Sequence, residues 1–252
     1  MTSLSQHLEE IRRSELEVLR PYVKPKCRLL EIGGANGFQS SIIASWQADV
    51  ASIDIKDPST YATQYFPVQQ YNGTDIPFPD ESFDLVFSSN VLEHVDQLPL
   101  LLKEMRRVMR PQAVAFHLVP SSSWRVWTLL SHYAYIVNRA VNRITRKPDA
   151  VEDLSLERIV QEKGVAYTLK RIAFPRAHGH SANALIEIAD FSRRNWARIF
   201  QNNGFRIVKI GKNNLFYTGY SIFPSLGIES RRTMASLLGS SCNVFILQKD
   251  SG

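Results

Sequence analysis

The stretch LLEIGGANG, Leu29 to Gly37, carries a carboxylate, Glu31, out of an aliphatic run and into a loop with three glycines in five positions. Between a strand and a helix, such glycines let a ligand approach the main chain, and the free N–H groups of the helix start point at it. The next apolar run ends in Ser52-Ile53-Asp54-Ile55, which puts a second carboxylate, Asp54, 23 positions after Glu31. A carboxylate at the end of the second strand can accept both hydroxyls of a ribose, which fits any adenosine-containing ligand. GxGxxG is absent, because the run Gly33-Gly34-Ala35-Asn36-Gly37 is shorter.

The candidates for proton transfer near neutral pH are six histidines. His94 follows the apolar run ESFDLVFSSN, within VLEHV, and His117 lies inside AVAFHLV, where a core or strand-end histidine is the ordinary reading. His178 and His180 share the glycine-containing loop PRAHGHSANALIE, a place for a base or a substrate contact. Their HxH spacing also occurs in metal sites, but without a nearby acidic or Cys partner no metal is expected.

A third block, YNGTDIPFPDESFDLVFSSNVLEHV from Tyr71 to Val95, resembles the adenine loop, fourth strand and following segment of class I S-adenosylmethionine-dependent methyltransferases, in their small-molecule branch. With LLEIGGANG and Asp54 in the right order, the resemblance covers roughly residues 27–120, and FRIVKIG with CNVFILQK is similar to that fold's final antiparallel pair. The resemblance implies S-adenosyl-L-methionine as cofactor. Glu31, Gly33, Gly34, Ala35, Asn36 and Gly37 would hold its methionine end, Asp54 its ribose, and Ile55 would pack on adenine. Asn72 and Gly73 would flank the adenine edge, and Ser89 and Asn90 would line the sulfonium side. Ala35 stands where glycine is usual, an exchange that a non-positive φ tolerates. Asn72 stands where aspartate is commoner, with an amide oxygen that can accept from the adenine amine.

Methyl transfer from a sulfonium is an in-line displacement, so positioning the acceptor and excluding water do most of the work. A base is needed only for an alcohol or a protonated amine, and His94, His178 and His180 are its candidates. The segment SSNVLEH lacks the Asn/Asp-Pro-Pro-Tyr/Phe pattern of exocyclic base methylation, and no nucleic-acid-binding module is visible, so a nucleic-acid acceptor is not expected. A sugar or glycan hydroxyl, as in surface-polysaccharide assembly, is the leading expectation. N- or C-methylation of a lipid or quinone-like acceptor, and a non-catalytic partner protein, are the alternatives.

The elements that must position these groups follow from periodicity. CRLLEIG, DVASIDI, ESFDLVFSSN and AVAFHLV read as strands, FQSSIIASWQA and Leu98 to Met109 as helices, and this alternation points to an α/β parallel sheet with crossover helices. SRRNWARIFQNNGF reads as a helix capped by Ser192 and stopped by Gly204. The expected architecture is Rossmann-like: one domain over residues 1–252, a seven-stranded mostly parallel sheet, an antiparallel C-terminal strand, an N-terminal helical segment over 1–26, and a helical insertion or lid over 121–190.

Within that insertion, apolar residues at 127, 130, 134, 137, 141 and 144 fall at helical spacing, with Arg125, His132, Arg139, Arg143 and Arg146 near the opposite face. The segment 124–147 therefore reads as a lid packing its apolar stripe on the domain, or as a peripheral contact with an anionic membrane. Charge supports a meeting with something anionic, since Met105 to Pro148 holds eight Arg and Lys and no acid. Cys27 and Cys242 stand far apart in the chain, which fits a reducing cytoplasm, at most peripheral at the inner membrane surface. The N-terminus lacks a signal-peptide apolar region, and no run approaches the roughly 20 apolar residues a bilayer span needs.

Overall fold

A computed structural model describes residues 3–145, 178–179, 183–219 and 226–250. Seven strands form one sheet: β1 Arg28–Ile32, β2 Asp49–Asp54, β3 Gln69–Gln70, β4 Phe83–Ser89, β5 Met109–Pro120, β6 Phe205–Lys212 and β7 Cys242–Lys249. Their order is β3-β2-β1-β4-β5-β7-β6. β1 to β5 run parallel, and β7 is antiparallel to both of its neighbours, β5 and β6. This is the expected α/β, Rossmann-like sheet.

Alternation along the central strands separates two cores, because successive strand side chains point to opposite faces. Leu30, Ile32 and Val86 join α3 (Leu98–Val108) and α6 (Arg193–Asn202), through Met105 and Phe200, on one face. Leu29, Leu85 and Phe87 meet α1 (Ser3–Leu19) and α2 (Phe38–Ala44), through Leu16 and Ile43, on the other. With both faces covered, β4 is buried along nearly its whole length, through Phe83, Leu85, Val86 and Phe87. The expected caps of α6 are present: the Ser192 hydroxyl accepts from the Asn195 N–H, and Gly204 takes φ +76° just past the helix.

Strand order reverses between β1 and β4, so the crossovers from those strands leave in opposite directions and open a crevice at their carboxyl ends. The glycine loop, Asp54 and Ser89-Asn90 all sit on that rim.

The insertion differs from its expected packing. α4 (Ser122–Thr145) buries Trp124, Arg125, Thr128, Ser131 and His132, whereas Leu130 and Val137 of the apolar stripe are 52% and 61% exposed. The inward face is polar because it has polar partners. Arg125 pairs with Glu187 of α5 (Ile186–Asp190) at 2.7 Å, and the Thr128 hydroxyl accepts from the Gly219 N–H at 2.9 Å. Ser121 caps the helix by accepting from the Trp124 N–H and donates its own proton to the Ser240 carbonyl. Residues 146–177 lie outside the described residues, as do the side chains of Arg139 and Arg143. The last helix, α7 (Ile228–Leu238), precedes β7.

His117 is a core residue. Its Nδ1 lies 2.8 Å from the Ser88 hydroxyl on the adjacent strand, its ring stacks on Phe200 at 5.6 Å, and its Nε2 has no hydrogen-bond partner among the described residues. Burial pushes its pKa down to about 3, so it stays neutral in the folded chain and charges first in the unfolded one. The unfolded state then binds the extra proton, and stability falls as pH drops through the window from 6.5 toward 3. Between pH 7 and pH 5 this single group should cost about 2 kcal/mol. His117→Gln, which retains an amide for Ser88 but does not titrate, should lose about that much less in urea unfolding at the two pH values.

Candidate functional site

The glycine loop is built by close approach. A Cβ on Gly34 would run into the Ser52 hydroxyl, and one on Gly37, at φ +77°, would collide with the Phe66 backbone. Gly33 and Gly34 donate to the Ile53 carbonyl at 2.8 and 3.1 Å, which ties the loop to the end of β2. The Asn36 side-chain oxygen accepts from the Phe38 N–H at the start of α2, whose N-cap is Gly37.

Glu31 turns inward beneath this loop rather than lining the crevice. It is 2% exposed and accepts from the Ser40 and Ser52 hydroxyls. Burial raises its pKa to about 7, the two hydroxyls acting against that rise. Glu31 thus props the loop from below through Ser40 and Ser52.

Ala35, which lines the crevice, departs from the expected non-positive φ. Its φ is +50°, in the left-handed region, where a side chain costs about 1 kcal/mol relative to glycine. Its N–H donates to Asp54 Oδ2 at 2.8 Å, which holds that conformation. Asp54 Oδ1 accepts from the Lys56 N–H at 2.9 Å, so each carboxylate oxygen organises backbone and has a further lone pair toward the crevice. Asp54 and Ile55 both line the crevice, Ile55 with its side chain open.

Asn72 lines it as well, but its amide oxygen already accepts from the Thr74 and Asp75 N–H groups. That Asx turn, followed by Gly73 at φ +91°, gives Asn72 a shaping role in the loop opposite Ile55. The expected hydrogen bond from a ligand to this oxygen therefore competes with two backbone donors.

Ser89, Asn90 and His94 also line the crevice, joined by Arg12 from α1. Arg12 bridges Glu15 at 2.6 Å and the Ser89 hydroxyl at 3.2 Å. Glu15, fully buried, also accepts from the Tyr217 hydroxyl at 2.5 Å and the Asn213 amide at 3.2 Å. Sequence reading missed Arg12 and Glu15, because on a helix of alternating charges nothing marks one pair as turned inward.

His94 is half exposed, with Nε2 3.8 Å from a carboxylate oxygen of Glu93. His178 packs edge-on between His94 and Trp124, with both ring centroids 4.7 Å away. Burial first, then the charges of its neighbours, lowers its pKa to about 4. The loop carrying it is pinned by Glu187, which accepts from the His178 and Gly179 N–H groups at 2.7 and 2.5 Å and pairs with Arg125. His94 and His178 are thus brought together, and His180 lies outside the described residues.

The crevice, about 720 Å³ in volume, lies within the range of sites that enclose one small ligand, roughly 300–1,000 Å³. Asp54, the close-packed glycine loop and the apolar Ile55 at one end match a nucleoside. The end formed by Arg12, Asn90 and His94 leaves room for a second reactant.

A family model described as a methyltransferase domain matches residues 5–210 of the chain. The chain is 31% identical over 150 residues to a biotin biosynthesis bifunctional protein of Cellvibrio japonicus, across 56% of this chain and only 28% of that protein. A SAM-dependent methyltransferase of Aquifex aeolicus superposes with a TM-score of 0.53 at 13% identity, covering 97% of this chain and 96% of the other. The 1,6-didemethyltoxoflavin-N1-methyltransferase of Burkholderia thailandensis, solved with 1,6-didemethyltoxoflavin and S-adenosylhomocysteine bound, superposes with a TM-score of 0.51 at 12% identity, covering 96% and 80%.

The Arg125–Glu187 pair supports the His178 side of the site, and both side chains are almost wholly buried. Glu187→Ala should therefore lower unfolding stability by about 3–5 kcal/mol, since a buried guanidinium loses its carboxylate. The double exchange Arg125→Met with Glu187→Leu should be less destabilising than Glu187→Ala alone, a non-additivity that urea unfolding of the variants measures.

Proposed function

The chain belongs to the methyltransferase-domain family, and on that premise we propose that it is an S-adenosylmethionine-dependent methyltransferase whose acceptor is the hydroxyl of a sugar or glycan intermediate. The observation that carries this reading is that the glycine loop, Asp54 and Ile55 line one crevice together with Arg12, Asn90 and His94. Asp54 would take the ribose hydroxyls on its remaining lone pairs. Gly33, Gly34, Ala35, Asn36 and Gly37 would offer backbone to the methionine end, with Glu31 holding them from beneath. Ile55 and Gly73 would bracket the adenine, and Ser89 and Asn90 would face the sulfonium side.

The cofactor supplies a methyl group already activated by its sulfonium. The chain's own work is then to hold an acceptor oxygen in line and to keep water out. His94, on the crevice wall, would take a proton from that oxygen, with His178 edge-on against it. An imidazole on the wall supports a hydroxyl acceptor, which must lose a proton, over a carboxylate, which need not. Surface-polysaccharide assembly supplies acceptors of this kind.

A second reading, N- or C-methylation of a lipid or quinone-like acceptor at the inner membrane surface, is favoured by the exposed Leu130, Tyr133 and Val137 on α4. No helix among the described residues is long and apolar enough to cross a membrane, so such contact would be peripheral. Under this reading the chain sediments with anionic vesicles at low salt, and Leu130→Gln with Val137→Gln reduces it. Failure of the unaltered chain to sediment removes it.

Calorimetry with S-adenosylhomocysteine tests the principal reading. The chain should bind it, and Asp54→Ala should weaken binding by about 10- to 100-fold, as expected for loss of charge-assisted hydrogen bonds. Absence of binding at millimolar ligand overturns the cofactor assignment, and unchanged affinity in Asp54→Ala overturns the ribose role.

A further inference from the structure

Glu93 is a buried carboxylate set against His94 Nε2 at 3.8 Å, beyond hydrogen-bond reach. Its side chain is fully buried, and neither carboxylate oxygen has a hydrogen-bond partner among the described residues. Ionised, it is a buried charge without a donor; protonated, its O–H is a buried donor without an acceptor. Each state leaves a polar group that interiors do not normally tolerate. The neighbouring buried acids are all matched: Glu31 by two serines, Glu15 by Arg12 and Tyr217, Glu187 by Arg125 and two backbone N–H groups.

Also among the described residues, Glu93, His94 and His178 form a group in which one ligand atom from each lies within 4.8 Å of the others. Gly179 permits the approach, since a Cβ there would meet the Glu93 carbonyl at 2.5 Å. Trp124 fixes the His178 ring edge-on, and Glu187 holds its backbone. His94 also forms part of the crevice wall.

We propose that Glu93, His94 and His178 bind a divalent first-row transition cation whose open positions face the acceptor end of the crevice. Two imidazoles and one carboxylate suit zinc, manganese, iron or cobalt better than the all-oxygen preference of magnesium or calcium. Tetrahedral ligands about 2.1 Å from such a cation stand roughly 3.4 Å apart, so small rotations of the two imidazoles close the set. Three protein ligands leave at least one position for water or substrate, the composition of a reactive rather than a structural site. The lack of an acidic partner near the HxH pair, which argued against a metal from the sequence, is made good by a residue 85 positions earlier.

The consequence for chemistry rests on the methyltransferase reading. With His94 engaged as a ligand and no longer as the base, an acceptor hydroxyl bound to the cation loses its proton to water in the crevice at a lower pH than it would free. Its oxygen then forms the bond to the methyl carbon as the carbon–sulfur bond breaks, with the electron pair left on sulfur as a neutral thioether. An oxygen acceptor gains from this arrangement; an amine would instead tie up its lone pair on the cation.

The test uses the full chain, freed of metal with a chelator and titrated calorimetrically with Zn2+, with Mg2+ for comparison and Co2+ absorbance as a second signal. One equivalent of Zn2+ should bind, Mg2+ should bind far more weakly, and Co2+ should show the intense visible bands of a low-coordinate site. His178→Ala and Glu93→Gln should each weaken Zn2+ binding by at least about tenfold, while His117→Gln, outside the cluster, leaves it unchanged. S-adenosylhomocysteine titrated into the same samples verifies that each variant is folded. Absence of Zn2+ binding, or binding equally tight in His178→Ala and Glu93→Gln, overturns the cation site. If the metal-free chain binds S-adenosylhomocysteine but no Zn2+, the cation site fails and the methyltransferase reading stands. If it binds Zn2+ through these residues but no S-adenosylhomocysteine, the cation site stands and the methyltransferase reading fails.

Discussion

The hydrogen bond from the Ala35 N–H to the Asp54 carboxylate joins the ends of β1 and β2, beside the point between β1 and β4 where strand order reverses. Everything at the nucleoside end of the crevice is referred to it. It holds a non-glycine residue at φ +50°, a conformation worth about 1 kcal/mol of strain that one charge-assisted bond can offset. It also aims the following backbone across the crevice floor. Glu31 reinforces the same loop from below, so the loop is clamped between two carboxylates, one facing the ligand and one facing the core.

Buried carboxylates recur around the whole crevice, and each organises a different part of it. Glu15 draws α1, the Tyr217 segment and Ser89 together; Glu187 draws α4, α5 and the His178 loop together. Such groups do little for net stability, since desolvation takes back most of what pairing supplies. Their effect is geometric: a mispositioned partner would leave a charge uncovered, so the alternatives are excluded. The site is thus specified by polar interactions on a frame specified by apolar ones. Glu93 departs from the pattern by having its surroundings arranged but no hydrogen-bond partner among the described residues.

The frame is legible in the sequence because it depends on local periodicity and chain order. Strand runs, crossover helices, the Ser192 cap and the antiparallel β7 follow from residues close to one another. The position of the glycine loop and Asp54 is legible for the same reason. Side-chain direction is not. Glu31 and Asp54 both stand near the ends of apolar strands, yet Glu31, penultimate in β1, is taken inward by Ser40 and Ser52, while Asp54, the last residue of β2, lines the crevice. That Asn72 spends its oxygen on its own turn depends on a loop conformation that residue types alone do not fix.

α4 shows where periodicity misleads. Its apolar stripe is real, but Arg125 and Thr128 find partners in α5 and near Gly219, distant in sequence, and those partners turn the polar face inward. A count of apolar residues scores an arginine as outward because an unpaired arginine must be; a paired one need not be. The same blindness hides Arg12, Glu15 and Glu93, three charged residues that the fold turns inward and that reading in sequence order sets at the surface. The crevice wall accordingly carries the Arg12 guanidinium held by Glu15 and the His94 imidazole that meets Glu93 and His178, so its polarity is set by residues whose direction the fold, not their place in the sequence, decides.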